Sequence, residues 1–214
     1  MVSWGVWAKV SPNLHRADVL RQASLGSGRR SCRTLGPTLR AMPVAHLLCG
    51  PSLAGKSTVA ERIARVTGAV VLCADVVNAE RGLPFGAEGL PESAWRETLR
   101  ILLERLHTHA RSGHSVVVDD TQCYRWLRDR YRSECIASGL RPILLLLSQP
   151  TRVLYERHAR ATARASRAVL SHERLADHLA RFEWPSDDEH ATDVSSPEAL
   201  NAYLRSFSQS NGAT

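Results

Sequence analysis

Short apolar runs alternate with longer stretches of helical periodicity from residue 44 onward. Each run is long enough for one strand and too short for a buried helix. The run over 142–147 contains no polar residue, which is typical of a parallel strand covered on both faces. We predict strands over Val44–Cys49, Ala69–Cys73, Ser115–Val118, Pro142–Leu147 and Ala191–Val194.

Between these runs, apolar residues recur at the spacing of one helix face. Val59, Ile63 and Val66 share such a face after the first strand. Further helices are predicted after Pro91, from Tyr124 to Gly139, from Thr151 onward, over Ser171–Phe182 and over Pro197–Phe207, with a helical turn over 76–81. Alternating strands and helices predict a three-layer α/β fold, in which helices cover both faces of a central parallel sheet of about five strands.

The ends of the chain differ from its body in composition and charge. Residues 1–41 carry seven basic side chains and one acidic one, and so hold +6 of the net charge of +7. We interpret residues 1–41 as a disordered arm, a transit peptide or the product of a start site assigned too early, since Met42 stands directly before the first strand. One domain is predicted over residues 42–208, with a flexible tail over 209–214.

Composition also limits the classes of protein that fit. The body carries 21 basic and 20 acidic residues, so the basic balance of the whole chain does not indicate a nucleic-acid partner. No apolar run approaches 18 residues, which predicts no membrane span. The five cysteines and nine histidines lack metal-binding spacings. We therefore expect reduced thiols, no metal site made of protein ligands alone and a cytoplasmic location.

One glycine-rich stretch fits the pattern G-x-x-x-x-G-K-[ST] and lies between a predicted strand and a predicted helix. Glycines in such a loop let backbone N–H groups point at one anion, and the helix adds the positive end of its dipole. The pattern predicts a P-loop fold and a nucleoside triphosphate site, because this context distinguishes a phosphate loop from a chance match. The expected phosphate-binding residues are Gly50, Pro51, Ser52, Leu53, Ala54, Gly55, Lys56, Ser57 and Thr58.

Lys56 and Ser57 have specific roles in this pattern. The lysine reaches the β- and γ-phosphates, and the serine hydroxyl holds Mg²⁺. Residues 42–214 contain 20 arginines and one lysine, which is Lys56. A compact ammonium fits this position, whereas the planar guanidinium used elsewhere does not.

Acidic residues follow two predicted strands. Asp119 and Asp120 close the run over 115–118, and either one can serve Mg²⁺ in the manner of a Walker B aspartate. Asp75 follows the run over 69–73. Because ligands of open α/β sheets bind at the carboxyl ends of the strands, we expect these carboxylates to converge on the phosphates. Arg81 lies in the next loop, either as an anchor for an anionic substrate or as a solvated side chain.

A basic helix face follows the fourth predicted strand, with arginines three or four residues apart. Its members are Arg157, Arg160, Arg164 and Arg167. Such a face is often merely solvated. At this point of the chain it favours a mobile lid that closes over ATP.

Taken in order, these motifs resemble the broad family of P-loop kinases, the AAA-family ATP-binding proteins. They are similar to the kinase domain of polynucleotide kinase and, more distantly, to zeta toxin and chloramphenicol phosphotransferase. The resemblance spans about residues 42–205. It implies that Lys56 and Ser57 bind phosphate and Mg²⁺, that Asp75 is the general base, and that Arg164 or Arg167 is the lid arginine. Relatives often have Thr-Asn where this chain has Thr121-Gln122, so the acceptor contacts stay open.

The expected function is ATP-dependent phosphoryl transfer to a hydroxyl group, with Mg²⁺. The acceptor is a small molecule or the end of a nucleic acid. Two alternatives remain at this point. One is a nucleotide-dependent switch or ATPase that acts on a protein partner, and the other is a polynucleotide 5'-hydroxyl kinase. Asp75 favours a kinase, because a switch needs no base at that position. The near-neutral body disfavours a nucleic-acid groove.

Overall fold

The computed structural model describes residues 42–84, 89–164 and 170–208. The predicted arm over 1–41 and the predicted tail over 209–214 lie outside these ranges. The strands are β1 (Val44–Cys49), β2 (Val70–Cys73), β3 (Val116–Asp119), β4 (Arg141–Leu146) and β5 (Thr192–Asp193). The helices are α1 (Lys56–Thr67), α2 (Ala74–Glu80), α3 (Glu92–Arg111), α4 (Arg125–Ala137), α5 (Thr151–Arg164), α6 (His172–Ala180) and α7 (Pro197–Ser208).

The five strands form one sheet in the order β2-β3-β1-β4-β5, and every neighbouring pair is parallel. The predicted parallel sheet of about five strands is therefore confirmed. β1 lies between β3 and β4, and β3 lies between β1 and β2. Asp119, the last residue of β3, is in register with Leu48 of β1 and Cys73 of β2. The carboxyl ends of these three strands thus meet at one edge of the sheet.

A hydrophobic core lies on each face of the sheet, which confirms the three-layer architecture. Leu47 of β1 belongs to one core, with Leu106 of α3 and Tyr131 of α4. The next residue, Leu48, belongs to the other, with Ile63 of α1. Successive side chains of a strand point to opposite faces, so β1 contributes to both cores.

Two local expectations differ from the structure. β2 passes into α2 without a loop, so Asp75 lies in the first helical turn and not at the end of a strand. β4 is also less buried at its start than its sequence predicts, since Arg141 is exposed and Pro142 is half-buried. The reason is that β5 pairs only with Leu145 and Leu146, which leaves the beginning of β4 at the sheet margin. Within the described ranges, no helix is both long and apolar enough to cross a bilayer.

Candidate functional site

The predicted phosphate loop occupies residues 50–55, between β1 and α1. The N–H of Gly50 donates to the Thr121 carbonyl oxygen at 3.1 Å, which joins the loop to the segment after β3. A Cβ atom on Gly50 would lie 2.6 Å from the Leu147 carbonyl oxygen. Because real Cβ atoms do not approach a backbone oxygen so closely, this position requires glycine.

Positive φ angles turn the chain twice within the loop. Leu53 has φ 70° and Gly55 has φ 106°. The Ala54 N–H donates to the Pro51 carbonyl oxygen at 3.2 Å. Where α1 begins, the Val59 N–H donates to the Gly55 carbonyl oxygen at 3.2 Å. The loop therefore leads directly into a helix N-terminus, which is the backbone arrangement that binds anions.

Lys56 opens α1, and its Nζ donates to the Pro51 carbonyl oxygen at 3.0 Å. Burial lowers the pKa of this ammonium, and the negative charges of Asp119, Asp120 and Asp75 oppose that shift. The structure thus brings the lysine of the loop together with all three carboxylates that the sequence placed after β2 and β3. Ser57 and Thr58 follow in the first turn of α1, and both are exposed.

The two neighbouring aspartates after β3 have different surroundings. Asp120 Oδ1 accepts the Thr121 N–H at 2.6 Å, and its Oδ2 accepts the Tyr131 hydroxyl at 3.2 Å. Burial raises the pKa of Asp120, whereas the Thr121 N–H and the Lys56 charge act against that rise. Asp119 is 6% exposed, and its carboxylate accepts no hydrogen bond from the described residues. Both oxygens of Asp120 are therefore engaged by the protein, while Asp119 keeps its oxygens for another ligand.

Asp75 lies in the first turn of the seven-residue helix α2. Its negative charge opposes the lowering of the Lys56 pKa and contributes to the raised pKa of Asp120. Arg81, at the end of α2, instead donates through Nη1 to the Ala94 carbonyl oxygen at 2.7 Å and to Thr98 Oγ1 at 2.5 Å. This guanidinium therefore connects α2 to α3.

The arginines of the predicted lid face separate in the structure. Arg157 is half-buried, and its Nη1 donates to the carbonyl oxygens of Leu53 at 2.8 Å and Ala54 at 3.0 Å. Arg160 is exposed and pairs with Glu156 at 3.5 Å. Arg164, the last residue of α5, is exposed. Arg167 lies outside the described residues. Among the described members of this set, Arg157 is the one that contacts the P-loop, whereas sequence reasoning singled out Arg164 and Arg167 as lid arginines.

A histidine from α6 also contacts the loop. His178 Nε2 accepts the Ser52 N–H at 3.3 Å. Burial and, to a smaller extent, the nearby charge of Lys56 lower the pKa of His178 to about 4, so the ring is neutral at physiological pH. Sequence reasoning missed this residue, because a histidine 126 positions from its partner carries no local signal.

These features define the class of protein: a parallel α/β sheet whose central strand leads through a phosphate loop into a helix is the P-loop fold. The model of the AAA domain family matches residues 46–185, about two thirds of the chain, and the protein belongs to that family. A search of the curated proteins finds no match to this sequence.

Solved structures with this fold include several kinases. A gluconokinase from Sinorhizobium meliloti 1021 is 23% identical, with a TM-score of 0.57 and coverage of 80% of this chain and 97% of that one. A sugar kinase from Janibacter sp. HTCC2649 is 24% identical, with a TM-score of 0.56 and coverage of 76% and 93%. The Mycobacterium tuberculosis APS kinase, in complex with AMPPNP and APS, is 17% identical, with a TM-score of 0.56 and coverage of 77% and 95%. At these identities the likeness shows the fold.

Proposed function

We propose that this protein is a phosphotransferase that moves the γ-phosphate of ATP to a hydroxyl group of an acceptor. The observation that carries the proposal is the position of Lys56, in the phosphate loop and among the charges of Asp75, Asp119 and Asp120. Phosphoryl transfer needs a cation that binds the phosphates. It also needs carboxylates that bind the metal ion and the acceptor hydroxyl. The kinases among the structural neighbours support this reading of the fold.

The nucleotide phosphates would bind on the backbone amides of residues 50–58. Lys56 Nζ now donates to the Pro51 carbonyl oxygen, and a triphosphate would offer that ammonium stronger, charged acceptors. Arg164 and Arg167, at the end of α5 and just beyond it, are the proposed lid arginines that approach the γ-phosphate when the lid closes. Their charges would stabilise the negative charge that spreads over the transferring group.

The residues present fit Mg²⁺. A magnesium ion prefers oxygen ligands and keeps several waters, so one or two protein oxygens together with the phosphates complete its shell. Ser57 and Asp119 are the proposed pair, because Asp120 already accepts two hydrogen bonds. No cluster of three acidic, histidine or cysteine ligands occurs within the ranges described. When bound, Mg²⁺ neutralises charge on the phosphates.

Asp75 is the proposed general base, or the group that orients the acceptor. Asp75 lies in the first turn of α2, and its charge acts on Lys56, which supports this role. A carboxylate there can accept the proton of the attacking hydroxyl while the γ-phosphoryl group passes to that oxygen. The acceptor would be a small molecule or a nucleic-acid end. We also propose a cytoplasmic location, in keeping with the free thiols of the four described cysteines.

The deciding experiment measures Mg-ATP binding and phosphoryl transfer from labelled ATP to a library of alcohols, sugars, nucleosides and oligonucleotide ends. We expect one hydroxyl compound to accept label and Lys56→Ala to abolish the transfer while the melting temperature stays within a few degrees. ATP hydrolysis that no alcohol alters would instead favour a switch or ATPase. Transfer by a folded Lys56→Ala protein at the normal rate would refute the proposal.

A further inference from the structure

Three consecutive residues of the phosphate loop, Ser52, Leu53 and Ala54, are held by side chains from two different helices. We call these three residues the loop crest. Arg157 of α5 donates to the carbonyl oxygens of Leu53 and Ala54 at 2.8 and 3.0 Å. His178 of α6 accepts the Ser52 N–H at 3.3 Å. α5 carries the described arginines of the predicted lid face, and α6 is the next helix along the chain.

The hydrogen bonds from Arg157 reach a strained part of the loop backbone. Leu53 has φ 70°, which is a left-handed conformation that a leucine seldom adopts. Such a conformation persists only where surrounding contacts impose it. The guanidinium holds the Leu53 carbonyl oxygen in this orientation. It also lies 3.7 Å from the place where a Cβ on Gly55 would be, so it spans the second half of the loop.

The bond from His178 requires a neutral ring with its lone pair on Nε2, because a protonated ring would present a second N–H to the Ser52 N–H. Burial has the largest effect on this ring and lowers the pKa of His178. The nearby charge of Lys56 on α1 lowers that pKa further, and the neighbouring Asp177 on α6 raises it. Phe182 packs edge-on against the ring at 5.8 Å between centroids.

Hydrogen bonds in the segment that follows α6 help to fix the position of His178. Just after this helix, the Glu183 N–H donates to the Cys123 carbonyl oxygen at 2.9 Å. The Glu183 carbonyl oxygen in turn accepts Arg128 Nη1 at 2.8 Å. The segment that follows α6 is therefore fixed to the residues after β3, and His178 is presented to the loop by an anchored helix.

We propose that Arg157 and His178 are positioning residues that hold the loop crest in the conformation that binds nucleotide phosphates. The inference deepens the proposed function and depends on it. A loop already ordered before binding does not have to be ordered by the ligand, so the two contacts increase the affinity for Mg-ATP. Loss of one such hydrogen bond corresponds to about a tenfold weaker affinity.

The test compares His178→Gln with His178→Leu. Glutamine places an oxygen close to the position of Nε2 and can accept the Ser52 N–H, whereas leucine fills space without accepting it. Amide hydrogen exchange of the loop, without nucleotide, measures how well the two contacts order its backbone. Calorimetric titration measures the affinity for Mg-ATP. We expect faster exchange at Ser52 and an approximately tenfold higher Kd in His178→Leu, with both restored in His178→Gln.

Arg157→Met provides a second arm that does not depend on the folding of the histidine variants, and we expect the same direction of change at Leu53 and Ala54. Arg152→Met on α5 and His172→Leu on α6 are matched controls, since both side chains are exposed. Unchanged exchange and Kd in His178→Leu and Arg157→Met would overturn the inference, as would a glutamine that fails to restore them. If the unaltered protein does not bind Mg-ATP at all, the proposed function itself is wrong. If it binds Mg-ATP and the variants bind it equally well, only this inference is wrong.

Discussion

The side chains of Arg128 and Glu189 form a two-pronged ion pair in the interior of the protein. Arg128 Nε donates to Glu189 Oε2 at 2.6 Å and Nη2 donates to Oε1 at 2.8 Å, and the two side chains are 1% and 0% exposed. The remaining guanidinium nitrogen, Nη1, donates to the carbonyl oxygens of Gln122 and Glu183. Arg128 thus joins α4 to the segment that follows the site aspartates and to the segment that follows α6.

Breaking this pair should destabilise the fold. Arg128→Met leaves the Glu189 carboxylate buried without its partner, and a lone buried charge costs about 3–5 kcal/mol. Denaturant unfolding at pH 7 measures the loss. Arg100→Met is the matched control, since Arg100 pairs with Glu97 on the exposed face of α3 and such pairs contribute about 1 kcal/mol or less. Equal losses in the two variants would contradict the prediction.

Asp75→Asn should separate the roles of this residue. The change keeps the shape and removes the charge, and general-base help is typically worth about a hundredfold to ten-thousandfold in rate. We expect phosphoryl transfer to fall by a factor in that range, with Mg-ATP affinity nearly unchanged. The measurements are transfer rate, Mg-ATP affinity and melting temperature.

Two other results for Asp75→Asn have distinct meanings. Weaker Mg-ATP affinity with partial recovery at high Mg²⁺ would make Asp75 a metal ligand. A stability loss of about 1 kcal/mol with normal turnover would make it only a helix-terminal residue. The latter result would refute the mechanism proposed above.

The lid arginines should affect rate more than binding. Arg164→Ala and Arg167→Ala remove cations that act on transition-state charge, and such cations can be worth about a thousandfold in rate. Single-turnover rates and Mg-ATP affinity distinguish the two effects. Arg152→Ala is the control on α5, because that side chain is 85% exposed. Normal rates in both lid variants would mean that this helix face is only solvated.

Acid should destabilise the protein through His46. This side chain is fully buried in β1, with Nδ1 2.5 Å from the Tyr203 hydroxyl. Burial, with a smaller contribution from Arg141, lowers its pKa to about 4, against about 6.5 in the unfolded chain. Between these values the unfolded chain binds the extra proton, so stability is present above pH 6.5 and is lost as the pH falls toward 4.

The expected size of the His46 effect is about 2 kcal/mol between pH 7 and pH 5. We expect His46→Gln, which cannot titrate, to lose that much less stability over the same range in denaturant unfolding. His107→Gln is the control, since its ring is partly exposed. Parallel pH profiles for the unaltered protein and His46→Gln would show that this histidine does not cause the acid sensitivity.

Residues 1–41 should be dispensable for the activity of the domain. A chain that begins at Met42 keeps β1 and the whole candidate site. We expect its melting temperature and Mg-ATP affinity to match those of the full chain. A stability loss above about 1 kcal/mol, a sizeable part of the stability of a typical domain, would instead indicate that the first 41 residues pack on it.

The sequence by itself determined the strand-helix alternation, the parallel sheet and the phosphate loop. Each of these depends on local chemistry. Apolar runs fix the strands, and helical spacing fixes the faces of the helices. Gly55, at φ 106°, adopts a backbone conformation that a side chain would strain. The pattern around Lys56 therefore predicted the loop without knowledge of any distant residue.

The tertiary structure alone decided which side chains meet that loop. Asp119 and Asp120 are adjacent in sequence but differ in their hydrogen bonds, because the Tyr131 hydroxyl donates to Asp120. Likewise the spacing of the lid arginines defined a helix face but not the surface opposite it, and the packing of α5 brings Arg157 to the carbonyl oxygens of the loop. His178 meets Ser52 across 126 residues. Periodicity records how a segment is shaped, whereas such contacts depend on how separate segments pack, and that information is not contained in any one stretch of the chain.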